Sequence, residues 1–189
     1  MLTDASWQTK LARALTRNRA VAQSRYFQLA TIDADGSPNC RTMVYRGFTE
    51  DGSRLDMHTD LRSNKISQLQ YPKLAEICWY FPHTREQFRL KGNIELICSP
   101  DHPLGPVRTA HWQSLSNEVQ ASYVAVSLNA VQSDAKVLKN SLQLPSEHFA
   151  LLQLTAKQVD HLQLQPLPHK RWLYQRDNEN SWQSRPITP

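Results

Sequence analysis

Cations and hydroxyls with clear chemical potential lie in two neighbouring segments of the sequence. The first segment, Arg41–Phe48, opens with an arginine and is rich in β-branched and aromatic residues, so it predicts a strand. The second, His58–Lys65, runs from strand-like residues into Ser63-Asn64-Lys65, where a helix is predicted to begin. Hydroxyls, free backbone N–H groups and a lysine at a helix start suit a phosphate, and the arginine adds a second positive charge. The pattern predicts a site for a phosphorylated cofactor.

Elements that position these residues can be predicted from the periodicity of the first half of the chain. Residues 4–22 predict an amphipathic helix, because Trp7, Leu11 and Leu15 recur at fourfold spacing, with Asp4 or Ser6 as the N-cap. Strand signals and turn signals then alternate. The predicted elements are strands over 26–32, 41–48, 55–59, 75–81 and 87–98, a hairpin turn over 35–38 and a short helix over 63–70.

The second half of the chain begins with a change of period. Residues 107–127 predict a helix, because His111, Leu115 and Val119 recur at fourfold spacing, whereas 129–146 show no readable pattern. Strands are predicted over 149–155 and 159–164, followed by a terminal hairpin over 171–175 and 182–184. Six to eight mostly antiparallel strands with peripheral helices predict a mainly β fold, a closed or nearly closed β-barrel, in one domain spanning residues 1–189.

The composition limits the class of ligand. The 189 residues include 22 Lys and Arg against 17 Asp and Glu, a net charge of +5 that is spread along the chain. This distribution favours small anionic ligands over nucleic acid, which would call for a basic face interleaved with aromatic residues. Only five glycines are present and no repeat is visible, which argues against a disordered chain or a solenoid.

Cysteine usage and apolar runs bear on the compartment. Three cysteines stand at 40, 78 and 98, without the spacing of a zinc site, so no metal site is predicted. Cys78 and Cys98 lie in apolar runs and are predicted to be buried. Residues 1–7 lack the apolar core of a signal peptide, and no apolar run approaches the length of a membrane span. We therefore expect a reduced, cytoplasmic protein without a membrane partner.

Four motifs in sequence order give the chain a recognisable likeness. They are Arg41–Phe48, Thr59–Lys65, Gln87–Gly92 and Pro168–Tyr174. In this order the chain resembles the pyridoxamine 5′-phosphate oxidase-like flavoproteins, in the branch with an Arg-Thr-[Val/Met]-Val-x-Arg-Gly-Phe strand. The resemblance implies an FMN-binding split barrel that works as a homodimer.

The resemblance also implies how FMN is bound. Arg41 and Lys65 would hold the phosphate, and Gln87 and Arg171 would reach the flavin, the latter from the other subunit. A dianionic phosphate calls for two or more cationic donors with hydroxyl or amide donors, which agrees with these roles. The backbone of residues 42–44 would run along the isoalloxazine ring. The cofactor-binding set implied in this way is Arg41, Thr42, Met43, Val44, His58, Thr59, Ser63, Asn64, Lys65, Gln87 and Arg171.

The substrate side matches the family less well. Arg46 and His169 stand where the resemblance implies substrate contacts. On an ideal strand Arg46 and Arg41 point to opposite faces, so both reach one ligand only if the strand bulges or the ligand wraps around its end. The oxidases carry two further substrate-gripping arginines, and Leu115 and Leu167 stand at those positions here. We therefore expect weak oxidase activity on pyridoxamine 5′-phosphate.

The predicted function is an FMN-dependent oxidoreductase in which FMN takes a hydride from a small molecule, with a phosphorylated B6 vitamer as a candidate. No serine, cysteine or histidine stands in a recognisable nucleophile motif, so no catalytic side chain is predicted. Two alternatives stay open, a flavin-dependent reductase of another small molecule and a non-catalytic flavin- or haem-binding protein. Gln87 could also be an ordinary exposed strand residue, and His169 a loop histidine bonded only to backbone.

Overall fold

Nine antiparallel strands form one sheet in the computed structural model, which describes residues 6–70, 73–124, 143–179 and 181–189. The sheet order is β2-β1-β5-β6-β7-β4-β3, and the hairpin β8–β9 pairs with the second half of β7. The strands are β1 Tyr26–Ile32, β2 Pro38–Val44, β3 Gly47–Phe48, β4 Arg54–Asp60, β5 Leu74–Phe81, β6 Glu86–Ile97, β7 Phe149–Gln163, β8 Lys170–Arg176 and β9 Trp182–Pro186. The mainly β prediction is confirmed, although the predicted count of six to eight strands is too low and the sheet does not close.

Short helices flank the sheet. They are α1 Trp7–Arg17, a 3₁₀ turn Ala22–Arg25, α2 Lys65–Gln68, α3 Gly105–Gln113 and α4 Asn117–Val124. The predicted cap Ser6 is confirmed, since its Oγ accepts the Thr9 N–H at 3.2 Å, whereas the alternative Asp4 lies outside the described residues. The predicted end of α1 at residue 22 is wrong. Asn18 ends the helix, because its own N–H and side-chain amide both bond the Ala14 carbonyl.

The predicted helix over 107–127 is two helices. α3 ends at Gln113 and α4 begins at Asn117, and residues 125–127 lie outside the described part of the chain. The intervening Ser114-Leu115-Ser116 carries two serines, whose hydroxyls compete with helical backbone hydrogen bonds. The Ser114 hydroxyl indeed donates to the His111 carbonyl at 2.7 Å.

The two strands predicted over 149–155 and 159–164 are one strand, β7. Lys91 pairs with Gln158 and the next residue, Gly92, pairs with Ala156, so Lys157 is an extra residue in β7. A bulge of this kind bends a strand without ending it, which explains why the polar residues 157–158 resemble a loop in the sequence. Gly92 is required here, because a Cβ at this position would collide with the Thr155 carbonyl.

The core lies on one face of the sheet. Cross-strand partners Leu29, Ile77, Leu90 and Val159 are fully buried, and α1 covers the core with Trp7 and Leu11. The residues that alternate with these along each strand point to the other face of the sheet, which is at least partly exposed. Within that alternation Cys78 is half-buried, while Cys98 follows the end of β6 and is exposed, so the prediction that Cys98 is buried is wrong.

Candidate functional site

Lys65 stands at the centre of a cluster of hydroxyl groups. Its ammonium donates to Thr59 Oγ1 at 2.9 Å and to Ser63 Oγ at 2.6 Å, so the end of β4 and the start of α2 meet at one point. An ammonium has three N–H donors, and these two bonds leave one of them for a ligand. The predicted residues Thr59, Ser63 and Lys65 are therefore brought together, and Asn64 lies between the last two at the N-cap position of α2.

Arg41 is held beside this cluster by neutral oxygen atoms. Its guanidinium donates to Gln68 Oε1 at 2.7 Å and to the Thr31 hydroxyl. Gln68 is in turn fixed by Asp33, whose carboxylate accepts from Gln68 Nε2 at 3.0 Å. Among the described residues neither Arg41 nor Lys65 forms an ion pair with a carboxylate.

Two neighbouring cations without a facing anion give the site its electrostatic character. Partial burial lowers the pKa of Lys65, and the positive charge of Arg41 lowers it further, while Asp60 acts in the opposite direction. Burial likewise lowers the pKa of Arg41. An anion beside the two cations would offset the cost of burying their charges, so the cluster suits a phosphate dianion.

One part of the sequence-based argument for this site is wrong. The helix predicted over 63–70 comprises only the four residues Lys65–Gln68, and Asn64 makes no side-chain cap bond. A single turn has almost no macrodipole, so the helix start contributes little to anion binding. The ammonium, guanidinium and hydroxyl groups therefore account for the character of the site.

Arg46 lies in a break between two strands. β2 ends at Val44 and β3 begins at Gly47, so the strand predicted over 41–48 is interrupted at Tyr45-Arg46. Tyr45 packs into the aromatic core against Trp79, and the Arg46 N–H donates to the Asp56 carbonyl of β4 at 3.0 Å. Because the strand is broken, the alternation of an ideal strand does not fix the direction of Arg46 relative to Arg41.

Beside Arg46, a chain of hydrogen bonds joins three side chains. His58 Nε2 lies 3.0 Å from His111 Nδ1, and His111 Nε2 lies 3.1 Å from Asp56 Oδ2. Burial, together with the charges of His111 and Arg46, lowers the pKa of His58 to about 3. His58, predicted as a cofactor contact, therefore has its side chain joined to α3 rather than to the Lys65 cluster.

Gln87 and Arg171 lie together on the outer face of the sheet. Both pair with Leu162, Gln87 from β6 and Arg171 from β8. Arg171 donates to both carboxylate oxygens of Asp160, at 2.9 and 2.7 Å. Strands β1 and β5 separate them from β2, so within one chain they are not brought to the Arg41 cluster.

The predicted backbone contact, Thr42–Val44, forms the end of β2. Met43 is buried in the core, while the Thr42 side chain bonds Gln28 on the outer face. The backbone of this segment is paired with β1 on one side only, because β2 is an edge strand of the sheet. Among the described residues no strand pairs with its other side.

His169 is exposed in the connection between β7 and β8, just after the C-terminal end of β7. His58 pairs with Leu151, which lies near the N-terminal end of the same strand. One chain therefore does not bring His169 to Arg46. Arg108, a conceivable substitute for a missing substrate arginine, is buried and donates to the carbonyls of Ser146 and Phe149. Its guanidinium is committed to backbone.

Sequence reasoning missed two groups of residues at the candidate site. Gln68 and Thr31 orient Arg41, and a signal for Gln68 exists, because it follows Lys65 by one helical turn. Asp56 and His111 are distant in sequence and carry no local motif, so only the hydrogen bond between their side chains in the folded chain shows that they meet.

Comparisons with known proteins show the family of the chain. Residues 4–98 match the family model described as pyridoxamine 5′-phosphate oxidase, FMN-binding domain. Over 98% of both chains the protein is 35% identical to pyridoxine/pyridoxamine 5′-phosphate oxidase 2 of Arabidopsis thaliana. The chain therefore belongs to the pyridoxamine 5′-phosphate oxidase-like FMN-binding family, as its motifs predicted, and FMN is the cofactor that this membership assigns to it.

Solved structures extend the likeness to the whole fold. A pyridoxamine 5′-phosphate oxidase-related, FMN-binding protein of Nostoc punctiforme is 43% identical, with a TM-score of 0.87 over 98% of both chains. PhzG of Burkholderia lata, in complex with tetrahydrophenazine-1-carboxylic acid, has a TM-score of 0.78 at 21% identity, which covers 96% of this chain and 91% of that one. The likeness to PhzG concerns the fold alone.

Proposed function

We propose that this protein is an FMN-dependent oxidoreductase that oxidises a small molecule, with pyridoxine or pyridoxamine 5′-phosphate as the first candidates. The observation that supports it most directly is the pair Arg41 and Lys65, two partly buried cations that face hydroxyls and an amide instead of carboxylates. Such a pair suits the phosphate of a bound nucleotide, and the family to which the chain belongs is defined by an FMN-binding domain.

The residues present fit this cofactor. Arg41, Lys65 and the hydroxyls of Thr59 and Ser63 would hold the phosphate, while the backbone of residues 42–44 would lie along the ring system. When bound, FMN supplies the capacity to accept a hydride from a substrate carbon and to pass the electrons on to oxygen. The chain's own side chains then need only bind and orient the substrate and manage its proton.

The substrate side rests on Arg46. It is exposed and lies beside His58, whose pKa is lowered first by burial and then by the charges of His111 and Arg46. Burial raises the pKa of Tyr123, and the charge of Arg46 acts against that rise. With Leu115 in place of a family arginine and Arg108 committed to backbone carbonyls, fewer cations remain to grip a substrate phosphate. We therefore expect turnover of the phosphorylated vitamers with an elevated KM.

A homodimer would complete the site. Gln87 and Arg171 share the outer sheet face, and the same face carries the half-exposed aromatic side chains of Tyr26 and Tyr80. A second copy covering this face would bring a partner's arginine to the flavin, as the family resemblance implies. We also propose a cytoplasmic location and a single domain spanning residues 1–189. In the described ranges no helix is long and apolar enough to cross a membrane.

The experiment is a titration of flavin-free protein with FMN and with riboflavin, followed by an absorption spectrum. We expect two visible flavin bands and an FMN affinity at least about ten- to a hundredfold above that for riboflavin, because even one lost charge-assisted contact costs roughly 1.5–3 kcal/mol. Equal affinities would overturn the phosphate site. A Soret band in the purified protein would favour the haem-binding alternative.

A further inference from the structure

A cavity of about 990 Å³ is lined by α3, by the strands β4, β6 and β7, and by the turn between β3 and β4. Cavities that hold small molecules commonly measure about 300–1,000 Å³. Part of the lining is apolar and carries Phe48, Leu104, Val107 and Ala110. Val107 is 36% exposed, so this wall is open to solvent. The cavity therefore offers an accessible apolar surface on which a small molecule can pack.

The polar part of the lining is held in place by hydrogen bonds. Arg54 donates to Gln153 Oε1 at 3.0 Å, and Gln153 Nε2 donates to Asp56 Oδ1 at 3.0 Å. Glu95 accepts from Arg54 at 2.7 Å, and His111 Nε2 lies 3.1 Å from the other Asp56 oxygen. Asp56 and Gln153 are 3% and 1% exposed. These side chains are fixed before a ligand arrives, which reduces the ordering cost of binding.

The lining differs in charge from the chain as a whole. Among the described residues that line the cavity, four carboxylates stand against a single permanent cation, Arg54. Hydrogen bonds, first of all from the Thr49 hydroxyl, lower the pKa of Asp51 to about 2, so this carboxylate is ionised at neutral pH. With its histidines neutral, the lining carries an excess of three negative charges, whereas the chain has a net charge of +5. The four carboxylates belong to Glu50, Asp51, Asp56 and Glu95.

These carboxylates can accept further hydrogen bonds. Each Asp56 oxygen has one hydrogen-bond partner, and a carboxylate offers about four acceptor positions in all. Glu95 is more accessible, since its side chain is 41% exposed and only one of its oxygens bonds Arg54 closely. An ammonium group has three donors and no acceptor, so it matches this surface, whereas the surface repels a phosphate or a carboxylate.

We propose that the cavity is a second ligand site, for a small organic cation: an amine whose apolar body packs on α3 and whose ammonium faces the carboxylates of Asp56 and Glu95. No residue of the Lys65 cluster is among the described residues that line it. The opposite charges of the two sites sort their ligands, since the phosphate of FMN is an anion. This inference goes beyond the proposed oxidation and does not depend on it.

The test is a titration of the purified protein, with and without FMN, with 2-phenylethylamine. A parallel titration uses 3-phenylpropionate, which carries a carboxylate instead of an ammonium on a similar apolar body. Calorimetry should give a dissociation constant of about 1 mM or tighter for the amine, and binding of the acid should be at least about tenfold weaker. In amide NMR spectra the amine should shift the signals of Val107 and Ala110 and leave that of Lys65 unchanged.

Two variants and a control test the role of charge. Glu95→Gln keeps a hydrogen-bond acceptor for Arg54 but removes one negative charge, so it should weaken amine binding about three- to fivefold. Ala110→Lys adds an ammonium to the cavity lining on α3 and should weaken it at least about tenfold. Glu147→Gln is the control for the first variant, because this side chain is 86% exposed and does not line the cavity. FMN affinity should be unchanged in all three, which also reports that the variants fold.

Three results would overturn the second site. They are no saturable binding of the amine at millimolar concentration, equal affinities for the amine and the acid, and wild-type amine affinity in Ala110→Lys. A protein that binds the amine as expected but whose FMN is reduced by neither vitamer would contradict the proposed oxidation and support the second site. The reverse pair of results would refute the second site alone.

Discussion

Replacing Lys65 by methionine removes the ammonium but keeps most of the side-chain volume. Two of its three N–H donors already bond Thr59 and Ser63, so one donor remains for the ligand phosphate. We therefore expect the loss of one charge-assisted hydrogen bond, about 1.5–3 kcal/mol, or a ten- to hundredfold weaker affinity for FMN. Riboflavin, which lacks the phosphate, should bind the variant and the wild type equally.

The same substitution should not lower the thermal stability of the flavin-free protein. Burial and the charge of Arg41 disfavour the Lys65 ammonium in the folded state, as its lowered pKa indicates. Removing that charge should leave the thermal midpoint of the flavin-free protein unchanged or raise it. A residue kept for stability would show the reverse, a lower midpoint on substitution.

Quenching of flavin fluorescence measures both affinities, and thermal unfolding measures stability. Lys157→Met is the matched control, because Lys157 is an exposed lysine at the β7 bulge and its loss changes the net charge equally. An FMN affinity of Lys65→Met equal to that of Lys157→Met would refute the assignment of Lys65 to the phosphate. Equal losses for FMN and riboflavin would point to a general distortion of the site.

Three further outcomes are expected. Affinity for FMN should be constant near neutral pH and fall as the pH rises through the lowered pKa of Lys65, below the ordinary lysine value of 10.5; a pH-independent affinity would contradict this. Gly92→Ala should lower the free energy of unfolding by at least about 1–3 kcal/mol in urea, because its Cβ meets the Thr155 carbonyl, and an unchanged midpoint would show that the bulge relaxes. Mixing subunits that carry Arg41→Met with subunits that carry Arg171→Met should restore one tight FMN site per heterodimer, whereas a monomer with stoichiometric FMN would exclude composite sites.

Local sequence was sufficient to predict that Thr59, Ser63 and Lys65 lie together. They lie within seven consecutive positions, and Arg41, whose charge acts on Lys65, lies on a strand whose hairpin turn is evident in the sequence. Because these residues are close in sequence, the chain between them allows only a few relative positions of their side chains. The helix start was the part that failed, because a four-residue turn is decided by tertiary contacts rather than by propensity.

Other features depend on contacts that no local pattern records. Asp56 and His111 meet only because the fold brings the His111 side chain of α3 against the side chains of β4. The strand break at Tyr45-Arg46 stands directly before Gly47, which has a positive φ of 143°. The sequence predicts two strands where the long β7 stands, because an extra residue, Lys157, shifts the alternation at the bulge. Each of these is a cross-strand or helix-to-sheet effect that a single sequence does not encode locally.

Anaerobic mixing of the FMN-loaded protein with pyridoxine 5′-phosphate tests the proposed oxidation most directly. We expect the visible flavin absorption to bleach at millimolar substrate and to return when oxygen is admitted. The half-saturating substrate concentration should be high, because the two substrate arginines of the oxidases are missing. No bleaching with pyridoxine or pyridoxamine 5′-phosphate, in protein that binds FMN stoichiometrically, would contradict the proposed oxidation of these vitamers.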